Sequence, residues 1–446
     1  MQSEIKTIAY ANGEIQKVQI VRWDRWEQLE FLTPEQAPEA LDRFAAIYRN
    51  YLVPAAPWIF GHMVLFQLPK DFSLKLPGIT RKHGTVASSL TAAAAVLQEG
   101  VSVRGSKPVF RNKTAKALWL ALERQNCIRI VSGRLPTTKI IPVTNLPGYL
   151  SEAAPEAALK VNSSFFIMDC FDCASVYDHV GTPFGLCVKD GRVIYPPLYN
   201  REALLVDRNG RVSIRHWNVT DLEIEINGHL FRHGKNASIY SRPEKLWAPG
   251  GKKKYLIITG CQVAAVSEHP TKIPASGFVL CPWEDALIPE GSPVTYHGLE
   301  EIVFGIQVGN SILKDGVRTE GFHSRFYNIW HLEPVPFPPS LYPMDFEKAR
   351  AARIALGADE HGKPVLLWAE GAAKIGYIPG KGSCGASLKE MAELCEQAGM
   401  KHAVNLDGGG SAQILIRNQR MLQISDRDAL TLAQSERPIP FGLVVR

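Results

Sequence analysis

The sequence is short of long apolar runs. Uncharged segments such as 85–98 and 255–267 fall below the ~20 residues that a membrane-spanning helix requires. The opening residues, Met1 to Lys6, lack the basic-then-apolar pattern of a secretory leader, so the expected location is intracellular, in the cytoplasm. Metal-ligand spacing is scarce as well. Among 8 cysteines, Cys170-Phe-Asp-Cys173 is the single C-x-x-C, and neither a second pair nor a paired histidine motif follows in register. Ordinary thiols are expected, with no metal and no cofactor. Internal repeats and low-complexity tracts are missing too, apart from a local proline-rich loop at 334–343. With 46% apolar and 21% charged residues, the chain is neither disordered, collagenous nor a disulfide scaffold.

Charge of one sign is in surplus only at the start. Residues 1–155 hold 19 Lys+Arg against 12 Asp+Glu, whereas the remainder holds 31 against 32. Such an asymmetry separates two parts with different roles. The basic surplus is modest and reads first as a solvated surface. An anionic partner such as nucleic acid is the alternative.

A length of 446 residues suggests two or three domains at ~150 residues each. Thr33-Pro34-Glu35 has the N-cap, the N1 proline and the acidic first turn of a helix that would run through Leu41, Phe44, Ala45 and Tyr48. Further helices are expected over 85–98 and 113–125, then strands over 127–131 and 139–143. That order fits a winged helix or, preferably, a small α+β packing module. A turn-rich stretch from Asn145 to Pro155 marks the expected boundary. Beyond it, Asp190-Gly191, Asn209-Gly210, Asn227-Gly228, Asp315-Gly316 and His361-Gly362 punctuate short apolar runs as hairpin turns. One amphipathic helix is announced by the capping box Ser387-Leu-Lys-Glu390, the stripe Leu388, Met391, Ala392, Cys395, and Gly399 as its stop. The expected fold class is therefore α+β. A C-terminal mixed, largely antiparallel sheet domain with a few packed helices (155–446) would follow a smaller, mainly helical domain (1–150) that ends in a strand pair.

The segment from His402 to Ile416 is the most unusual. Two apolar strands flank Asp407-Gly408-Gly409-Gly410-Ser411. Three glycines cost backbone entropy, and they permit positive φ, close approach to a ligand, and an anion-binding nest of N–H groups. A tight hairpin loop is the plainer alternative. A Walker loop is excluded because no Gly-Lys-Ser/Thr ends the run, and a dinucleotide fingerprint because no helix follows.

Asn405-Leu-Asp-Gly-Gly-Gly-Ser411, followed by Glu436-Arg437-Pro438, resembles the phosphodiester glycosidase family. Other segments are similar in order: Val161-Asn162-Ser-Ser-Phe-Phe166, Gly181-Thr-Pro-Phe-Gly185, Gly309-Asn-Ser-Ile-Leu313 with Asp315-Gly316, and Ala352-Arg353-Ile-Ala-Leu-Gly357. The resemblance covers 155–446. Ser163 and Ser164 replace two glycines of the family pattern, and Ala352 and Ile354 replace a proline and a threonine. The stretch 198–247 and the proline-rich loop look like insertions. Members are mostly secreted or lysosomal, in contrast to the missing leader here.

The resemblance implies cleavage of a glycosyl phosphodiester or a related glycoside. Glycoside cleavage passes through an oxocarbenium-like transition state, usually managed by two carboxyl groups. Asp407 and Glu436 are the natural pair. A phosphate ester leaves readily as an anion, so its recognition matters more than protonation. Arg353 or Arg437 would grip it with a planar fork, and the N–H groups of Gly408, Gly409, Gly410 and Ser411 would add to that grip. Asn162, Asn405 and Ser411 would orient sugar hydroxyls or the carboxylates. The competing expectation is a non-catalytic sugar- or nucleotide-binding module whose basic N-terminal part contacts nucleic acid or a protein.

Overall fold

Asp190–Gly191, Asn227–Gly228 and Asp315–Gly316 each set two successive residues at positive φ (49° and 77°, 50° and 78°, 53° and 77°). That is the two-residue type I′ turn, whose twist matches paired strands. They join Cys187–Lys189 to Arg192–Tyr195, Glu223–Ile226 to His229–Arg232, and Ser311–Lys314 to Val317–Arg318. Asn209–Gly210 and His361–Gly362 likewise lie between Arg201–Asp207 and Val212–Trp217, and between Arg353–Asp359 and Pro364–Ala369. These geometries come from a computed structural model of the chain. It describes residues 1–34, 41–42, 44–45, 61–68, 90–133, 139–143, 147–168, 175, 177–198, 201–242, 245–319, 349–373, 375–428 and 430–446. The Cys170/Cys173 pair and the proline-rich loop lie outside the described residues.

Two sheets position the site. One has seven antiparallel strands in the order Gln2–Ala9, Ile15–Arg22, Pro364–Ala369, Arg353–Asp359, Met400–Asn405, Ser311–Lys314, Val317–Arg318. The other has five, in the order Gln419–Arg420, Ile414–Ile416, Leu159–Asn162, Gly442–Val445, Leu29–Leu32. Side chains alternate across a strand, and the alternation sorts strand Arg353–Asp359. Ile354, Leu356 and Ala358 enter the large core shared with Leu159, Val161, Ile414 and Leu443. Ala355 faces the opposite layer, where helix Leu388–Gln397 packs Leu388, Met391, Ala392 and Cys395. That helix starts as its sequence indicates. Ser387 Oγ accepts the Glu390 N–H at 3.2 Å, and Glu390 Oε2 accepts the Ser387 N–H at 2.9 Å.

The N-terminal part differs from expectation. It is not mainly helical, since residues 2–9, 15–22 and 29–32 are strands. Nor does the turn-rich stretch near 150 divide the sheets, because strand Ile15–Arg22 pairs with Pro364–Ala369 and Leu29–Leu32 with Gly442–Val445. The reason is apolar demand: Val18, Ile20 and Val21 alternate into the two cores of the seven-stranded sheet. Arg350 fixes the tip of the hairpin, bridging Glu14 and Glu390 at 2.5 Å each and lying 5.1 Å over the Tyr10 ring. The expected α+β packing is found instead within 61–142. There helices Leu90–Gly100 and Lys113–Arg124 cover a three-stranded sheet of Gly61–Phe66, Ile128–Gly133 and Lys139–Pro142. Of the helix expected near 33–48, Thr33 and Pro34 are not helical, Leu41, Asp42, Phe44 and Ala45 are, and the rest lies outside the described residues. Among the described residues, no helix is long and apolar enough to cross a membrane.

Candidate functional site

Strand Met400–Asn405 leaves the seven-stranded sheet, passes through Leu406, Asp407 and the three glycines, and re-enters the five-stranded sheet at Ile414. The glycine loop is thus the bridge between two sheets, not a hairpin turn. It lies across the start of strand Arg353–Asp359, with Leu406 N–H donating to Ile354 O and Gly409 N–H to Ala352 O, both at 2.8 Å. Asp407, Gly408 and Gly409 are half-buried between fully buried flanks, so the loop opens to solvent at these residues.

Each glycine has its own reason. A Cβ on Gly408 would stand 2.6 Å from Ala352 O. One on Gly410 would stand 2.0 Å from a guanidinium nitrogen of Arg437 and 2.3 Å from the Asp426 carboxylate. Gly409 adopts φ +59°, a conformation costly for residues with a side chain. The expected run of ligand-facing N–H groups is interrupted, because Asp407 N–H bonds Ser163 O (2.8 Å), Gly409 N–H bonds Ala352 O, and Ser411 N–H bonds Gly408 O (3.2 Å). Close packing, more than an open nest, explains the three glycines.

Asn162 pins both ends of this loop. Its Nδ2 donates to Asp407 O at 2.7 Å and its Oδ1 accepts the Gln413 N–H at 2.9 Å. Asn405 is fully buried within its strand, its N–H bonded to Asn310 O and its C=O to Gly309 N–H, each at 2.9 Å.

The adjacent Glu436 and Arg437 diverge. Arg437 turns to the glycines: Nε and Nη2 reach Asp426 Oδ2 at 3.0 and 2.9 Å, and Nη1 lies 3.4 Å from Ser411 Oγ. Glu436 turns away, accepting the Ser151 N–H at 3.0 Å and Arg420 Nη2 at 2.8 Å. Arg420 also donates to Gln413 Oε1 at 2.9 Å. Beneath them the buried Lys160 ammonium bonds Ser151 O and Ala153 O at 3.2 and 2.6 Å. Burial pushes that ammonium below the ordinary lysine range, and the Glu436 charge opposes the shift.

Arg353 is on the helix-bearing face of its sheet, as its parity with Ala355 requires. Its Nε donates to Ala386 O at 3.2 Å and an Nη to Ala349 O at 3.1 Å, which ties the strand to the approach of helix Leu388–Gln397. Its backbone adjoins the loop, with Cα 3.9 Å from a Cβ built on Gly408. The structure gathers Asn162, Asp407, Gly408, Gly409, Gly410, Ser411 and Arg437, with the Arg353 backbone against Gly408 and the Glu436 side chain turned to Ser151 and Arg420.

A family model for phosphodiester glycosidases matches residues 220–446, just over half of the chain. The chain belongs to the phosphodiester glycosidase family. The match contains Arg353, the glycine loop and Glu436–Arg437, and begins after Asn162 and Gly181–Gly185. Among proteins of curated function, none matches the sequence. Solved structures show faint likeness. A hypothetical protein from Synechocystis has 14% identity and a TM-score of 0.42, with 100% of this chain and 62% of that one covered. The catalytic domain of zebrafish N-acetylglucosamine-1-phosphodiester alpha-N-acetylglucosaminidase, auto-inhibited by pro-peptide, has 11% identity and a TM-score of 0.39, with coverage of 100% and 82%. Scores below 0.5 establish no common topology, so membership rests on the family match.

Two features of this member of the phosphodiester glycosidase family escape a sequence reading. Asp426 is 3% exposed and grips Arg437, yet no motif spacing marks it. Glu370, also buried, accepts the Ser383 hydroxyl and the Gln423 N–H at 2.9 Å each, which anchors the segment leading to Asp426. Next to it, a Cβ on Gly371 would stand 2.4 Å from Ser425 Oγ and 2.5 Å from Ala352 N, so the floor of the site is tightly packed. Ser163, where the family pattern has glycine, buries a hydroxyl that has no hydrogen-bond partner. A separate cleft of about 500 Å³, lined by Arg192, Arg208, Cys261, Tyr296, His297 and Glu300, shares no residue with this site.

Proposed function

We propose that the chain hydrolyses a sugar-1-phosphodiester at the bond between C1 and the bridging oxygen. Water adds its oxygen to C1, and the phosphate ester departs with the bonding electron pair. Asp407 faces the charge that develops at C1 and takes the proton from the attacking water. Arg437 meets the departing anion, its fork held in plane by Asp426 and its Nη1 beside Ser411. Asn162 and Gly408–Gly410 set the loop that carries Asp407. In this reading Glu436 acts through Arg420 and Gln413 as a positioning residue, and Arg353 braces the strand beneath the loop. The observation that carries the proposal is the half-exposed Asp407 on a loop packed against Arg437, which the buried Asp426 holds.

The test is release of free sugar from a panel of sugar-1-phosphodiesters, with aryl glycosides as controls. Asp407→Asn keeps the shape and removes the charge. Turnover should fall by at least ~10²-fold with an unchanged melting curve. An unchanged rate in that variant, on a diester the wild type cleaves, would sink the assignment.

A further inference from the structure

Arg427 and Gln434 form an antiparallel bridge, and Ser435 N–H donates to Asp426 O at 3.1 Å. Residues 426–437 are therefore one hairpin-like excursion. Its stem carries Asp426 on one side and Glu436–Arg437 on the other. Its tip carries two exposed leucines: Leu430 is 94% exposed and Leu432 is 50% exposed. An isolated exposed leucine would need no explanation. These two are held outward by construction. Asp428 Oδ1 accepts the N–H groups of Leu430 and Thr431 and the Thr431 hydroxyl at 3.0, 2.8 and 2.9 Å. Those bonds hold the Asp428 carboxyl below the usual carboxylate range. Leu432 sits at φ +60°, where a leucine is strained. A second loop leaves the site floor at Gly371 and exposes Ile375 and Ile378. The two loops meet, since a Cβ on Gly376 would lie 4.0 Å from Leu432 Cδ1.

Polarity is thus graded along one hairpin: a cation at the stem, apolar side chains at the tip. On the other strand of the stem, the three residues from Gln434 to Arg437 span at most roughly 10 Å, the reach of a chain attached to the bound phosphate. We infer that the alcohol half of the substrate is a long-chain lipid alcohol, with its phosphate at Arg437 and its first methylenes lying along Leu430, Leu432 and Ile375. This rests on the reaction proposed above and names the substrate class of that same site. A sugar or polar alcohol in this half would leave the leucines without a role.

The experiment compares hexose-1-phosphate diesters of methanol and of dodecanol, below the micelle concentration, on the full chain. The wild type should favour the dodecyl diester by about tenfold or more in kcat/KM, the scale of burying a few methylenes. The pair Leu430→Ser with Leu432→Asn, in which asparagine tolerates the left-handed backbone, should abolish that preference. The methyl diester should be cleaved within about twofold of the wild-type rate. Cleavage of both diesters without chain preference, or a preference that survives the double variant, overturns the inference and leaves the glycosidase reading standing. If no diester is cleaved, that reading falls, and binding of dodecyl phosphate decides the lipid site separately. Binding at least tenfold tighter than methyl phosphate, lost in the double variant, supports it; equal binding overturns it.

Discussion

Two arginine–carboxylate pairs flank the glycine loop, and they differ in what surrounds them. Arg437–Asp426 is packed against Gly410, with side chains 11% and 4% exposed. Arg420–Glu436 lies one layer away, tied to Gln413 and Ser151, with 21% and 13% exposed. Glu436 and Arg437 are neighbours in the chain, yet each pairs with a residue from elsewhere. Sequence adjacency within a Glu-Arg-Pro motif thus does not make an ion pair. Direction does, because consecutive side chains leave an extended backbone on opposite sides.

If the first pair is the stiffer element, removing one partner should be costly. Asp426→Ala removes the buried carboxylate that holds Arg437 Nε and Nη2 and should destabilise by about 3–5 kcal/mol, read as a lower urea midpoint at unchanged slope. Acid unfolding would sharpen the comparison only after a third group is discounted. His179 is buried, its Nε2 has no hydrogen-bond partner, and desolvation lowers its pKa from 6.5 to about 4. A base whose folded pKa is depressed binds its proton in the unfolded chain first, so stability is retained above pH ~6.5 and lost as pH falls towards 4. The loss amounts to about 3 kcal/mol. His179→Gln should flatten that part of the curve, and any acid sensitivity left belongs to the carboxylates. A curve that keeps its full slope in this window would remove His179 from the account.

Smaller effects probe each pair in turn. Gly410→Ala pushes a methyl into Arg437 and Asp426 and should cost about 1–3 kcal/mol, with a fall in activity matching displacement of Arg437. Glu436→Gln keeps an acceptor for the Ser151 N–H and loses only charge on a more exposed pair, so about 1 kcal/mol is expected. If thermal melts show Glu436→Gln to be as damaging as Asp426→Ala, the ranking of the two pairs is wrong.

Much of the fold was legible in short-range patterns. The Asn-Gly and Asp-Gly turns, the Ser387–Glu390 capping box, the stripe of helix Leu388–Gln397 and the peculiarity of Asp407–Ser411 are all written within a few residues. The N-terminal hairpin was not legible as part of the main sheet, because its pairing partner lies some 345 residues away at Pro364–Ala369. Amphipathic alternation in Ile15–Arg22 says that a face is buried, not against what.

By itself, the sequence determined where the chain turns, where helix Leu388–Gln397 begins, and that three adjacent glycines mark a place of close approach. These follow from φ preferences and hydrogen bonds that close over a few residues. Tertiary structure alone decided that Arg353 faces the helix layer, that Asp426 rather than Glu436 holds Arg437, and that Glu370 anchors the segment between them. Those choices depend on which sheet face and which distant strand share a core, and packing settles that only when the whole chain has folded.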